Sequence, residues 1–543
     1  MRVFNNFIYV IFLINILISQ NYNYSSEDWY FISCPKSIVA ISEDSFNVYF
    51  ATNNGFYRYD KILEDFQYDY NLSKDNHYHN IRHFYIDKNR GYYWIINNQG
   101  IYFKSAVSSI WREMSLVGSR IYSYYEIDDI GSSGEYLWFR SQDELFAYDP
   151  YSGLPIDWQQ SKSESNMIEW GNSYNGISGN DLDISNYIIN GEWDVNFKSI
   201  KSKDGLIINI TVFMEDRDGN KWYGTDQGYV LKAWRSTNDL EMYSLGLPFE
   251  DITEAYFDKY GTWWFAGSRF KRTGLLDHNM YFKNDETPFI SAWHEEENTW
   301  THYRLSESEI IENQDINCIL RINNYIYFGT MYGVLYYNLY NNEWNILNSD
   351  DGLNDSAVWE MIEYNRSIFV ATAKGINEIS TINQTVIPDT DNIFGEINKY
   401  NIYDFSIDSN QLYIVSEVGL IKLDLENGNR VLLSKKHYKS LNIINGLLTA
   451  SDGSLWMING MGDERLIKSK VHRYNQCGAY IWSIYNGSAS LFNTTTEESW
   501  NYNAKDGILG NRIYDINCDQ DWVWFISNKG VSFYNWSKYH KKN

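Results

Sequence analysis

The sequence predicts an all-β fold: a β-propeller of about ten four-stranded antiparallel blades, in one large ring or two tandem rings, with an N-terminal strand closing the last blade. Three observations carry this. A short aromatic-led motif recurs along the chain about every 43 residues. Short apolar or alternating runs, bounded by Asp, Asn and Gly, surround its copies. The C-terminal unit has no good outer strand, and a strand-like run near the N-terminus has no unit of its own.

The motif starts at an aromatic anchor, with a small polar residue three positions on and Gly six positions on. It reads Tyr49-Phe-Ala-Thr-Asn-Asn-Gly55, Trp222-Tyr-Gly-Thr-Asp-Gln-Gly228, Tyr327-Phe-Gly-Thr-Met-Tyr-Gly333, Phe369-Val-Ala-Thr-Ala-Lys-Gly375 and Trp524-Phe-Ile-Ser-Asn-Lys-Gly530. Trp94, Tyr413 and Trp456 fit the same frame. Trp138 and Trp264 keep a small residue, Ser141 and Gly267, but carry Glu144 and Phe270 in place of the second glycine. Eight of ten anchors have that glycine, in a chain with only 35 glycines among 543 residues, so chance does not explain the frame. Successive anchors lie 42 to 45 residues apart except after Trp138, Trp264 and Trp456, where sequence is inserted.

Each unit supplies four strands. Ile210-Thr-Val-Phe-Met-Glu-Asp216-Arg-Asp-Gly219-Asn-Lys-Trp222 reads strand, tight hairpin, strand, and Gly228 permits the next turn. Val334–Tyr337 exemplifies the third strand, and Trp111, Trp300, Trp344 and Trp500 mark the fourth. Residues 160–205 have room for a degenerate eleventh blade around Trp170, and the stretches near 271–299 and 460–487 read as long hairpins on regular blades. A solenoid of such sheets needs end caps, whereas a ring does not. After Val531–Tyr534 only nine residues remain, and Trp29-Tyr-Phe-Ile32 is expected to complete that last blade.

Composition narrows the function. The 47 Tyr, 27 Phe and 21 Trp supply a packed core and argue against disorder. A formal charge of −25 excludes a general attraction to nucleic-acid phosphates. Six prolines exclude a Pro-rich linker, and four cysteines cannot build a disulfide scaffold. Cys34, Cys318, Cys477 and Cys518 form an even set that an exported chain can oxidise. Yet Cys318 and Cys518 both end an Ile-Asn-Cys tripeptide and read as small core residues reused by the repeat.

Residues 1–20 read as a cleaved signal peptide: Arg2 is the sole charge, Phe7–Ile18 is apolar except for Asn15, and Ser19-Gln20 follows. That run is too short to span a bilayer comfortably, and no later stretch reaches about 18 apolar residues. Residues 25–543 are then the propeller, exported to a periplasmic, cell-surface or extracellular location without a membrane span.

The stretch from Asp204 to Gly228, with Asp351-Gly-Leu-Asn354 and Asp506-Gly-Ile508, resembles the two-component regulator propeller repeat almost position for position. The resemblance covers most of the chain from Trp29 onward. It implies kinship with periplasmic sensory propellers of hybrid histidine kinases, which often detect oligosaccharides, and with surface propellers of the type IX secretion system. No kinase or helix-turn-helix segment follows, so a complete signalling receptor is not expected.

Chemistry-bearing motifs are sparse. His77, His79 and His83 lack an acidic or cysteine partner at ligand spacing and read as loop and strand residues. His294-Glu-Glu-Glu297 reads as a solvated turn, and Asp277-His278 has no nucleophile motif. Asp216, Asp218 and Gly219 start like a calcium loop, but no glutamate follows at the required spacing, so a turn role is expected. No metal or cofactor is predicted. The function expected is non-catalytic recognition of a glycan, peptide or envelope protein. The turns after the second strands, Asn53-Asn54, Asn98-Gln99, Asp226-Gln227 and Asn528-Lys529, are the first candidates, because a propeller gathers them around one mouth. The alternative is a propeller lyase or glycoside hydrolase with paired loop carboxylates, although no such pair is recognisable.

Overall fold

The computed structural model describes residues 28–540 apart from 74–79, 109, 117–120, 122, 143, 174–181, 190–192, 204–205, 268–269, 272–280, 283–289, 304–315, 433–446, 450–454, 458–473, 486–487, 494 and 497. The signal-peptide reading of residues 1–20 therefore lies outside the described residues, as do His77, His79, Asp277 and His278. What is described is built of antiparallel sheets of the predicted kind. Eleven repeat sheets are seen, numbered here in chain order: blade 1 spans 38–68, blade 2 spans 81–114, blade 3 spans 129–156 and blade 4 spans 207–244. Blades 5 to 8 span 252–303, 316–347, 358–387 and 402–432. Blade 9 shows two strands within 447–457, blade 10 spans 474–502 and blade 11 spans 513–534.

Blade 11 closes as expected. Its third strand, Gly530–Tyr534, pairs antiparallel with Trp29–Ser33 from the other end of the chain, from Trp29↔Tyr534 to Ser33↔Gly530. Trp29 is buried, its ring 4.7 Å from that of Tyr534. Behind this strand, Lys538 meets Asp28 at 2.5 Å and Tyr539 also donates to it.

The first strand of each sheet is innermost. These strands pack in sequence from blade 5 through blade 11, and blade 11 packs back on blade 5. The seven sheets thus form a closed circuit. The other four pack in the order 4, 1, 2, 3. Here non-repeat chain covers both end faces. Leu182, Ile184, Ile189 and Ile200 bury the face of blade 4 turned away from blade 1. The short helix Trp158–Ser161 covers blade 3, with Trp158 edge-on to Trp138. Between these caps, Glu169–Trp170 pairs with the inner strand of blade 3, and Asn172–Ser173 pairs with that of blade 1. Of residues 160–205, which had room for a degenerate eleventh blade, those described instead cap the end faces, add the hairpin Trp193–Val195/Ser199–Ser202 to the inner strand of blade 4 and supply the axial pairings.

Two inserted stretches differ from expectation. The insertion in blade 5 carries a small pair, Phe270–Lys271 with Tyr281–Phe282, before the third strand Ile290–His294. Residues 474–485 are the first hairpin of blade 10, a full sheet anchored by the buried Trp482, where part of a hairpin insertion was expected. The frame misses it because Tyr485 and Ser488 stand where the small residue and glycine belong.

The anchors sit between blades. Trp222 meets Phe50 and Tyr59 of blade 1, Trp264 meets Phe328 of blade 6, and Trp482 meets Phe525 of blade 11. Two of these indoles are bonded: Trp222 Nε1 donates to Asp216 at 2.8 Å and Trp264 Nε1 to Asp258 at 2.9 Å. Asp216 also accepts the backbone N–H groups of Asp218 and Asn220, so its role is to shape the hairpin and hold the anchor.

Cys477 and Cys518 form a disulfide between the inner strands of blades 10 and 11, whereas Cys34 and Cys318 are buried thiols. The reading of Cys518 as a repeat-core residue is thereby corrected. Its tripeptide does not share the position of the other: Cys318 pairs with Gly329 near one end of its strand, and Cys518 with Val523 near the opposite end.

Two outcomes are expected in denaturant titrations. Trp29→Ala should lower stability by about 3–5 kcal/mol, as for other buried tryptophans, and an unchanged midpoint would show that closure does not use this strand. Reducing the disulfide, which closes a 41-residue separation, should remove about 4 kcal/mol by loop entropy. A Cys477→Ser variant should reproduce that loss without reductant.

Candidate recognition surface

The motif acquires a physical reason at the turn between second and third strands. In blades 1, 6, 7, 8 and 11, the hydroxyls of Thr52, Thr330, Thr372, Ser416 and Ser527 donate to the carbonyls of Gly55, Gly333, Gly375, Gly419 and Gly530 at 2.7–2.9 Å. Four of them also accept the backbone N–H two residues on, from Asn54, Tyr332, Lys374 and Lys529. Only a short hydroxyl residue caps the turn this way. The glycines take φ between 99° and 145°, and at Gly333 and Gly530 a Cβ would stand 2.1 Å from the carbonyl oxygens of Leu347 and Ile32.

The capping position pairs with the first residue of the inner strand, or in blade 4 with Ile210 within Ile207–Glu215, and the register then slips. This β-bulge recurs in blades 1, 2, 4, 5, 6, 7, 8 and 11. The extra residues are Val39, Arg82, Thr211, Thr253, Asn317, Trp359, Tyr403 and Tyr514. A bulge frees a side chain from the ladder and re-aims it. Here most reach forward to the next blade. Thr211 donates to Ile38 O at 2.6 Å and Asn317 to Val358 O at 2.8 Å. Trp359 Nε1 donates to Asn401 Oδ1 at 3.1 Å, and Tyr514 to Asp251 at 2.8 Å. Because the bulges lie beside the capped turns, both sets of residues rim the same face.

The predicted turn residues have distinct surroundings. Asn54 is buried and donates to Cys34 O and Glu250 Oε1, both at 2.8 Å. Asn53 binds Ser37 O through its backbone. Asn528 accepts the N–H of Arg512 and bonds Asp251 through its carbonyl, and burial pulls the Lys529 ammonium below its usual pKa. Asn54, Asn528 and Lys529 are therefore brought together where residues 33–38 and 245–252 cross between the two groups of blades. Asp226 accepts both N–H and Nδ2 of Asn209, Gln227 donates to Ile207 O, and their turn abuts Pro35. Asn98 and Gln99 stand apart, exposed on blade 2.

The same blade carries a group that the sequence did not reveal. The helical turn Tyr124–Glu126 packs against the second strand of blade 2, and Tyr125 is 60% exposed. Arg82, the bulge residue of blade 2, stacks its guanidinium 5.2 Å from the centre of the Tyr125 ring and donates to Tyr124 O at 3.1 Å. An exposed ring fixed by a cation, with two exposed carboxamides on the turn of the same blade, combines a stacking surface with directional donors and acceptors. The signal available in the sequence was Arg82 itself, a cation at the second position of the inner strand Ile81–Asp87.

Other candidates have structural duties. His83 is buried and donates Nε2 to Ile127 O at 2.9 Å. His294 sits 3.3 Å from Thr262 Oγ1, with Glu295–Glu297 exposed in the turn beyond. Among the described residues, no group of three or more His, Cys, Asp or Glu side chains is placed to hold a metal ion. His302 lies where the two groups of blades meet, 3.0 Å from Ser244 of blade 4 and 2.8 Å from Ser291 of blade 5.

The solved structures that the chain is similar to include the extracellular domain of the hybrid two-component system BT3049 from B. thetaiotaomicron. Identity is 14%, coverage 93% of this chain and 82% of that one, and the TM-score 0.31. PorZ, a bacterial surface component of the type-IX secretion system of Porphyromonas gingivalis, is 10% identical, covered at 94% and 87%, with a TM-score of 0.41. A second B. thetaiotaomicron extracellular domain, BT4673, is 13% identical, covered at 92% and 70%, with a TM-score of 0.29. They are the kinds of protein that the repeat resemblance names. No family model and no curated protein matches the chain.

The buried imidazoles predict acid sensitivity. Burial holds His83 and His540 down at about 4 and His302 at about 3. The folded state therefore binds fewer protons than the unfolded chain below the ordinary histidine value of about 6.5. The stability of neutral histidines is present above that value and is lost as pH falls towards 4. Melting temperature should drop across this window, and His302→Gln should flatten the drop; an unaltered slope would show that His302 takes no part.

Proposed function

We propose that this chain is an exported, non-catalytic recognition propeller that binds a glycan on the face carrying its second-to-third-strand turns. The observation that carries the reading is Tyr125, exposed, braced by Arg82 and packed on the second strand of blade 2, the blade whose turn exposes the Asn98-Gln99 carboxamides. Saccharides are bound by stacking an apolar sugar face on an aromatic ring while amides bond the hydroxyls. Export is supported by the leader-like residues 1–20 and by the Cys477–Cys518 bond, which persists in oxidising compartments. Among the described residues no helix is long and apolar enough to cross a membrane.

A glycan array probed with residues 21–543 tests this, followed by calorimetry on each hit. Tyr125→Ala is expected to weaken binding about tenfold or more, corresponding to about 1.4 kcal/mol, and Asn98→Ala with Gln99→Ala to weaken it further. Product formation from any bound glycan would favour the hydrolase or lyase alternative. Binding unchanged in Tyr125→Ala would move the site elsewhere.

A further inference from the structure

His302 stands where blade 4 meets blade 5 and is bonded to both. It lies on the fourth strand of blade 5, Thr299–Tyr303. Its Nε2 is 3.0 Å from Ser244 Oγ, at the end of the outer strand of blade 4, and its Nδ1 is 2.8 Å from Ser291 Oγ in its own blade. Ser244 gives its hydroxyl proton to Gly246 O at 3.0 Å. Nε2 must therefore carry the proton that Ser244 accepts, which leaves Nδ1 to accept from Ser291. The neutral imidazole fits this place in one tautomer.

Beyond Ser244 the contacts run into both segments that tie the four-blade group to the seven-blade circuit. Gly246 and Leu247 begin the returning segment, residues 245–252, and Leu247 donates its N–H to Ser33 O at 3.0 Å. Ser33, which opens the outgoing segment, bonds the Tyr57 hydroxyl of blade 1. One imidazole is thus linked, through Ser244, to the crossings on which four blades hang.

A second proton breaks this arrangement. On Nδ1 it sets an N–H against the hydroxyl of Ser291, which is buried and, among the described residues, has no other side-chain hydrogen bond to turn to. It also places a charge where nothing answers it. Tyr229 of blade 4 meets the imidazole edge-on at 6.0 Å, and Trp300 stacks on it at 5.8 Å. Ionisable groups on the surrounding elements are turned to other partners. Tyr243 donates to Glu241, His294 bonds Thr262, Tyr303 packs on Trp264, Glu250 pairs with Lys36, and Asp251 accepts from Tyr514. Burial alone pulls the imidazole down, with no charged group adding to the effect.

We propose that His302 is an acid-operated latch between the two groups of blades: neutral, it holds blade 4 against blade 5, and protonated, it releases the four-blade group about the paired crossings. Among the described residues blades 4 and 5 share no ladder, so parting them leaves each sheet intact. The end faces of the four-blade group stay covered by their own caps. The direction of the pH effect follows from linkage. A released imidazole titrates near the ordinary value of about 6.5, and the latched one is held at about 3. Latching is therefore fully present above about 6.5 and weakens about tenfold for each pH unit below it. The latch is independent of glycan binding at Tyr125.

Hydrogen exchange of residues 21–543, followed by mass spectrometry from about pH 7 to about pH 5 and corrected for intrinsic rates, tests the latch. Peptides spanning 239–252 at the junction should lose protection about tenfold per pH unit below about 6.5. Peptides spanning 358–372, the first hairpin of blade 7, should keep theirs. His302→Gln, whose amide can donate to Ser244 and accept from Ser291 without titrating, should hold junction protection constant across the range. Ser244→Ala cuts the imidazole from the crossings at a half-buried position. It should open the junction about threefold to tenfold more at neutral pH, the worth of one hydrogen bond. The proposal is overturned if acid leaves the junction protected, or if blade 7 loses protection in step with it. It is equally overturned if His302→Gln keeps the acid response or Ser244→Ala leaves the junction unchanged.

Discussion

The ladder between Trp29–Ser33 and Gly530–Tyr534 sets the position of everything else. It supplies the last blade with its outer strand, so the circuit closes between the two ends of the chain rather than between neighbours in sequence. It also fixes where the chain goes next. Residues 33–38 leave this outer strand directly for blade 1, and residues 245–252 return beside them to blade 5. Leu247 donates its N–H to Ser33 O at 3.0 Å, and at Gly246 a Cβ would stand 2.3 Å from that same oxygen. The four-blade group is thus held against the closing blade by two adjacent crossings, braced by Asn54 and by the Lys36–Glu250 pair.

The same packing problem is solved twice in different ways. A stack of sheets leaves an apolar face at each end, which must be buried. The seven-blade circuit buries both by joining them. The four-blade group instead spends non-repeat sequence on caps and lays an extra strand along its axis, pairing with inner edges that would otherwise present unsatisfied backbone groups. This explains why the described residues between 150 and 203 carry aromatic and apolar side chains yet lack the motif: they cover or extend the sheets of other blades without forming a blade of their own.

What could be read from the sequence is what local chemistry fixes. The Thr or Ser at the third position and the Gly at the sixth are bonded to each other across a turn in blades 1, 6, 7, 8 and 11, so identity and spacing survive there, while blade 10 forms a full sheet without them. The unpartnered run at Trp29 was legible for a related reason, since a strand with no unit implies a unit with no strand. The bulge residues were not legible. Val39, Thr211, Asn317 and Trp359 have no chemistry in common, and only the slipped register, a property of pairing, marks their shared position. Tripeptide identity misled in the opposite way at Cys318 and Cys518, where equal letters occupy unequal depths. Of the turn residues, sequence showed their common place after the second strands, but not that Asn54 and Asn528 would be drawn into the junction while Asn98 and Gln99 stayed exposed.

That division of labour has a consequence for recognition. Turn side chains are free to move, so ordering them on binding costs conformational entropy. A bulge residue sits on an innermost strand, bonded on one side to the second strand and packed against both neighbouring blades. Arg82, Trp359 and Tyr514 are each held further by a hydrogen bond to the following blade or its approach. The positions most constrained by the radial architecture are therefore also those whose side chains point out of the ladder, and a ligand meeting them finds a surface already ordered. Variation in residue type at a fixed backbone feature lets one scaffold set Arg82 against Tyr125 in the four-blade group and Trp359, Tyr403 and Tyr514 at the bulges of the seven-blade circuit.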